Sequence, residues 1–307
     1  MDGSLVAVHG GAGAWPRERI EPGLAALARA AAAGLAVLTG GGSAVDAAVE
    51  AVRLLEDDPL FNAGTGAVLT GAGTVELDAG VMDGATGEVG AVALVRHVRS
   101  PVLLARVVLD LPQAFMVGTG AERLAERAGV RREPARALVW PGRREQWRQW
   151  RQWRRGAAGG DTVGAVARDA AGNLAVAGST GGTLGKPPGR VGDTPVPGAG
   201  FWAGVRGAAV GSGLGEDFLR TLPCFRAARA LEADVTPTEA ATEAMRAVVE
   251  SASGGQGTGG LLVLGRSGMP AAVHTSRHLP HAWVAPGASG VAATGLALGD
   301  QGRPAMR

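Results

Sequence analysis

Gly159-Gly160-Asp161-Thr162-Val163-Gly164-Ala165-Val166-Ala167-Arg168-Asp169 marks a change of texture in this chain. A charge-rich and glycine-rich stretch stops at Asp161. A short apolar run that reads as a buried strand begins at Thr162. A threonine in such a place often does no more than open a strand. It is also where a chain that cut itself would expose a threonine at a new N-terminus. A threonine hydroxyl is a poor nucleophile without a base. A freed α-amine, with a pKa of about 7.7–8 in model peptides, supplies that base without any histidine.

Reading outward from the junction, Thr162 to Ala167 and Asn173 to Ala177 are two short strands with hairpin signals in Arg168–Gly172 between them. Leu5 to Val8 reads as a strand that runs into the glycine loop His9-Gly10-Gly11-Ala12-Gly13. Leu24 to Val37 reads as a buried Ala/Leu helix with Pro22 at its start. Ser43 is a candidate N-cap for a helix over Ala44–Leu55, and Pro101 opens another through Leu109. Ala121–Ala128 reads as a short helix. Short strands are expected at Val75–Asp78, Val89–Val95, Ala208–Val210, Leu261–Leu264 and Ala271–Val273, and helices at about 215–231 and 238–252. Strands come in groups separated by helical groups. That pattern favours an α+β protein with packed sheets and helices outside over a doubly wound parallel sheet.

Residues 131–161 break the pattern. Gln-Trp-Arg occurs three times in succession within 146–154. A period of three is neither that of a helix nor that of a strand, and Gly156–Gly160 reads as a flexible tether. Trp147, Trp150 and Trp153 read as a solvated linker or a patch resting on the surface. Interleaved arginine and indole could instead track nucleic acid, a reading that explains 143–155 and leaves the rest of the chain idle.

Composition excludes several classes. The 307 residues are 46% hydrophobic, enough for a substantial core, and net charge is +2, so the chain as a whole is not built for polyanions. A single cysteine, Cys224, rules out an internal disulfide. No apolar run is expected to span a membrane and no signal peptide is evident, so the expected location is cytoplasmic. His9, His97, His274, His278 and His281 form no metal-ligand spacing, and the last three are expected on a loop. Gly185-Lys186 fails the phosphate-loop pattern. Arg190-Val191-Gly192-Asp193 pairs a guanidinium with a carboxylate, which matches the carboxylate and ammonium of an amino-acid headgroup as well as it matches a surface ion pair. Ser212-Gly213 backbone is a candidate oxyanion donor.

Ordered blocks over nearly the whole chain resemble the plant-type L-asparaginase/isoaspartyl peptidase group of N-terminal-nucleophile (Ntn) hydrolases. They are Val8–Gly13, Phe61–Gly64, Glu76–Gly84, Asp161–Ala167, Ser179–Gly182 and Gly189–Thr194. The resemblance implies an αββα sandwich. It implies self-cleavage between Asp161 and Thr162, with 1–161 and 162–307 as the two halves of one domain and about 131–161 as the linker. Thr162 would be the nucleophile, Thr180 the second threonine bonded to it, and Ser212 would stand for a third. Arg190 and Asp193 would clamp the substrate headgroup, with Gly213 and Gly215 contributing backbone. Asn62 would support the oxyanion hole together with Gly213. Backbone of Leu55, Glu56, Asp58, Phe61, Ala63 and Thr65 would hold a structural sodium ion, with no cofactor for catalysis. Implied substrates are L-asparagine and β-aspartyl dipeptides, and the implied working unit is a dimer of cleaved α/β heterodimers.

Two positions depart from that group. Ser212 keeps a hydroxyl but lacks the threonine methyl, and Asp161 replaces a frequent glycine. Asp161-Thr162 is closer to glycosylasparaginases and protein-processing threonine hydrolases, which are the alternative within enzymes.

Overall fold

The computed structural model describes residues 3–153, 161–233, 235–251 and 257–298. One sheet runs β12 (Ala288–Ala292), β11 (His281–Ala285), β1 (Leu5–His9), β5 (Val163–Arg168), β6 (Leu174–Thr180), β2 (Leu77–Asp83), β3 (Val89–Val95), β4 (Phe115–Val117). The second runs β13 (Leu296–Ala297), β10 (Ala271–His274), β9 (Gly259–Gly265), β8 (Gly207–Gly213), β7 (Phe201–Ala203). Helices α1 (Arg17–Thr39), α2 (Ala44–Asp57), α3 (Pro101–Leu109) and α4 (Gly118–Arg127) pack on the first sheet. Helices α6 (Gly215–Thr221), α7 (Pro223–Ala230) and α8 (Pro237–Ser251) pack on the second. The result is the αββα sandwich, and β5 and β6 lie between β1 and β2, so the halves on either side of Thr162 share one sheet.

Alternation explains why the central strands read as unbroken apolar runs. Val6, Val8, Val163, Ala165, Ala175 and Ala177 face the helices. Leu5, Ala7, Val166 and Val176 face the second sheet, where they meet Ala208, Val210, Leu262 and Leu264. Leu261 and Val263 turn outward to α8. Both faces of each strand are covered, so both sets of positions must be apolar. Small residues set the spacing: a Cβ on Gly34 of α1 would stand 2.9 Å from the Ala47 carbonyl of α2.

Several boundaries differ from expectation. Helix α1 begins at Arg17, with Pro22 inside it. Its length and mean hydropathy of 1.5 would suit a membrane span, but Gly23, Leu27, Ala30, Ala31, Gly34 and Leu38 form a buried stripe against the core. Ser43 caps α2 as expected, accepting from Asp46 N–H at 3.1 Å. The helix expected at 215–231 breaks at Leu222, which is left-handed (φ 49°) before Pro223. The residue before a proline is disfavoured in the helical region. His274 and His281 lie on β10 and β11 rather than on a loop.

The largest correction concerns the linker. Pro141–Trp153 is a helix, α5, while 154–160 lie outside the described residues. Three residues turn a helix by about 300°, so Trp150 stands only about 60° from Trp147 and the two share a face. Trp147 Nε1 donates to Thr70 O at 2.8 Å and its ring covers Gly73; the Trp150 ring covers Gly185. These two indoles are seated on the body of the protein.

Candidate active site

Thr162 immediately precedes β5 and is 4% exposed. The pleat that turns Val166 toward the second sheet turns Thr162 the same way. The same alternation, counted from Val176 on β6 and Val210 on β8, brings Thr180 and Ser212 to that face. Three hydroxyls from three different strand ends are thus turned into the space between the two sheets.

The Thr162 N–H donates to Ser212 Oγ at 3.2 Å, and Ala12 N–H donates to the same oxygen at 3.0 Å. Ser212 therefore ties the junction to the glycine loop after β1. The Thr162 hydroxyl lies 3.1 Å from the Thr194 hydroxyl. This differs from the expected partner, Thr180, whose Oγ1 instead accepts from Gly182 N–H at 3.0 Å. Thr180 ends β6, and the chain turns at once through Gly181-Gly182, so the nearest backbone N–H takes its lone pair. Thr194 reaches Thr162 from the loop after Asp193. Thr194 closes the Gly189–Thr194 block but was not among the expected site residues, because its contact with Thr162 comes from the fold and not from spacing.

Arg190, Asp193 and Gly215 converge. A Cβ on Gly215 would stand 2.6 Å from Arg190 Nη2 and 2.9 Å from Asp193 Oδ1, so only glycine leaves this cradle open. Burial raises the Asp193 pKa to about 7, against the opposing pull of its own backbone N–H and Arg190. Asp193 Oδ2 is buried with no partner among the described residues. Arg190 already donates through Nε and Nη2 to Glu216, at 3.1 and 2.9 Å. A guanidinium has five N–H donors, so this leaves others for a ligand. Glu216 was not foreseen as a clamp partner.

The loop carrying Arg190 is fixed from beneath. Buried Lys186 donates to Glu76 O at 3.1 Å and lies 3.7 Å from Asp78 Oδ2; Glu76 Oε2 accepts from Gly189 N–H at 2.9 Å. Gly213 ends β8 beside Ser212 and packs on the Phe218 ring. Asn62 is committed to backbone: Nδ2 donates to Gly182 O at 2.7 Å and Oδ1 accepts from Val68 N–H at 2.8 Å. It joins the 62–68 loop to the turn after Thr180. His9 ends β1 opposite Gly164 of β5, and its Nδ1 accepts from Gly11 N–H at 3.2 Å. Burial, helped by His281, lowers its pKa to about 3, so it is neutral.

In the loop after α2, a Cβ on Gly64 would stand 2.7 Å from Glu56 Cβ and closer still to Glu56 O, and Gly66 lies against Phe61 O. Thr65 Oγ1 is shielded with no partner among the described residues. Inward carbonyls and an orphan hydroxyl are neutral oxygen donors of the kind a hard cation takes.

The profile of the Asparaginase_2 family, described as "Asparaginase", matches residues 2–293. The isoaspartyl peptidase of Salmonella typhimurium is 43% identical over 301 residues, covering 92% of this chain and 96% of that protein. An isoaspartyl peptidase/L-asparaginase of Danio rerio is 40% identical over 92% of this chain and 91% of its own length. The plant-type L-asparaginase of Pyrobaculum calidifontis is 40% identical over 92% of this chain and 98% of its own length. With that match running through Thr162, Thr180 and Ser212, the chain belongs to the Asparaginase_2 family.

Proposed function

We propose that this chain is a self-processing Ntn amidohydrolase acting on L-asparagine, β-aspartyl dipeptides or both. The observation that carries the reading is the buried Thr162 at a strand start, its N–H on Ser212 and its hydroxyl on Thr194. The names of the relatives support the substrate class. In self-cleavage the Thr162 hydroxyl oxygen bonds to the Asp161 carbonyl carbon, the C–N bond breaks, and the hydroxyl proton ends on the freed amine. Water then hydrolyses the ester.

In turnover the amine takes the hydroxyl proton as Oγ1 attacks the substrate side-chain carbonyl, and returns it to the departing ammonia or amino group. The resulting β-aspartyl ester is hydrolysed by water. Arg190 holds the α-carboxylate and ionised Asp193 the α-ammonium, which sets the carbonyl against the nucleophile. A glycosylasparaginase-like preference is the second reading, favoured by Asp161 before Thr162. The test is a denaturing gel with N-terminal sequencing, then ammonia release from asparagine and aspartate release from β-aspartyl dipeptides and glycosylasparagine. A chain that stays intact and releases nothing from any of them sinks the proposal.

The same reading places a sodium ion against the carbonyls of Leu55, Glu56, Asp58, Phe61, Ala63 and Thr65, a dimer of cleaved heterodimers as the working unit, and the enzyme in the cytoplasm. For the ion, the expected result is a melting temperature a few °C lower in choline chloride than in sodium chloride at equal ionic strength, since an ion bound only by the folded state stabilises it. Equal melting temperatures would remove the ion from the account.

A further inference from the structure

Thr162, as the nucleophile, carries its base in the same residue: the hydroxyl sits on Cβ and the freed amine on Cα. A single torsion, χ1, sets how far apart the two stand. A β-branched residue has few staggered choices, and a trans arrangement holds the oxygen away from its own amine. Whatever fixes χ1 therefore governs the chemistry. Ser212 secures the nitrogen, accepting from Thr162 N–H at 3.2 Å. The oxygen is met separately, by the Thr194 hydroxyl at 3.1 Å.

Thr194 is built into the protein in a way that fits this task. It is buried. Its methyl faces β6, where a Cβ on Gly178 would stand 3.6 Å from Thr194 Cγ2. Methyl and hydroxyl leave the same Cβ at a fixed angle, so seating the one aims the other. The backbone is held as well. Val196 N–H donates to Asp193 O at 2.8 Å. Gly200 lies flush on the pair, since a Cβ there would stand 2.5 Å from both Asp193 O and Thr194 Cα. Gly200 O in turn accepts from Gly211 N–H at 2.9 Å, and Gly211 precedes Ser212 on β8. The hydroxyl on the Thr162 nitrogen and the hydroxyl on its oxygen thus belong to one hydrogen-bonded block. The same loop carries Asp193, whose Oδ1 borders the Gly215 cradle.

We propose that Thr194 is a further catalytic residue: its hydroxyl holds Thr162 Oγ1 in the rotamer that keeps the oxygen beside its own amine. This rests on the Ntn reading above. A hydroxyl has one proton to donate and two lone pairs. As the amine takes the Thr162 proton, Thr194 O–H donates a hydrogen bond to Oγ1 and keeps its own proton throughout. The bonds made and broken are those already given.

The test compares T194S with T194A, since both lose the methyl and they differ only in the oxygen. On fully cleaved protein, T194A is expected to have a kcat about tenfold below that of T194S, the scale of one neutral hydrogen bond at the reacting oxygen. KM should agree within about twofold, because the contact acts on the nucleophile and not on the substrate. The ratio should be the same for asparagine and for β-aspartyl dipeptides, which differ only in the leaving group. Fragment formation should slow in T194A as well, since it uses the same oxygen. If loss of the methyl unfolds T194A, T194V keeps a methyl there and is compared with the wild type, with the same loss expected. Equal kcat in T194S and T194A, or in T194V and the wild type, overturns the proposal. So does a change confined to KM, which would mean that Thr194 serves only the Asp193 clamp. A wild type that neither cuts nor turns over removes the Ntn reading and this proposal together, whereas an active wild type beside an unimpaired T194A removes Thr194 alone.

Discussion

Thr162→Ala is expected to run as one undivided chain and to release neither ammonia from asparagine nor aspartate from β-aspartyl dipeptides. Both steps use the same oxygen, so one change removes both. The loss in kcat should be at least about 10³-fold, the scale seen when a nucleophile is deleted. The fold should survive. The lost side-chain contact is one neutral hydrogen bond to Thr194, about 1 kcal/mol, and the backbone N–H to Ser212 remains. Thr162→Ser separates hydroxyl from methyl: it should still cut and turn over, more slowly, because the methyl no longer restricts the side chain to few rotamers. Full activity in Thr162→Ala, with melting unchanged, would move the nucleophile elsewhere.

Asp193→Asn is expected to lower kcat/KM by roughly 10–150-fold, equivalent to the ~1.5–3 kcal/mol of a hydrogen bond to a charged group. The pH profile tests the same residue more sharply. Burial holds the Asp193 pKa at about 7, so its ionised form is lost as pH falls through 7 and the substrate ammonium loses its counter-charge. The Thr162 amine, at about 7.7–8 in model peptides, also gains a proton in that range and ceases to be a base. Two protonations therefore suppress the free enzyme. Log kcat/KM should fall with a slope near two in the wild type below pH 7, and with a slope near one in Asp193→Asn. Identical acid limbs in the two proteins would show that Asp193 does not titrate as the clamp.

Much of the fold was legible because its signal is local. Val163–Arg168 and Leu174–Thr180 are apolar at successive positions because helices cover one face and the second sheet the other. Ser43 announced α2, since a cap acts on an N–H three residues away. The break at Leu222 was missed although Pro223 signals it, because the helical character of the flanking sequence outweighed one proline. The three-residue repeat misled about α5. Period alone does not say which side chains find partners, and Trp147 and Trp150 find theirs on Thr70 and Gly185, some 77 and 35 positions away along the chain.

The chain's own order of residues determined that Thr162 opens a buried strand after a charged, glycine-rich stretch, and that Thr162 and Thr180 stand near corresponding positions of two neighbouring strands. Only the tertiary structure decided which hydroxyl meets Thr162, that Glu216 shares the Arg190 fork, and that Arg143 is buried against Gly66. The physical reason is the range of the interactions. Pleat, caps and apolar faces follow from neighbours a few residues apart. A hydrogen bond 3.1 Å long between Thr162 and Thr194 depends on where a loop without period lands, and the packing of the two sheets sets that place.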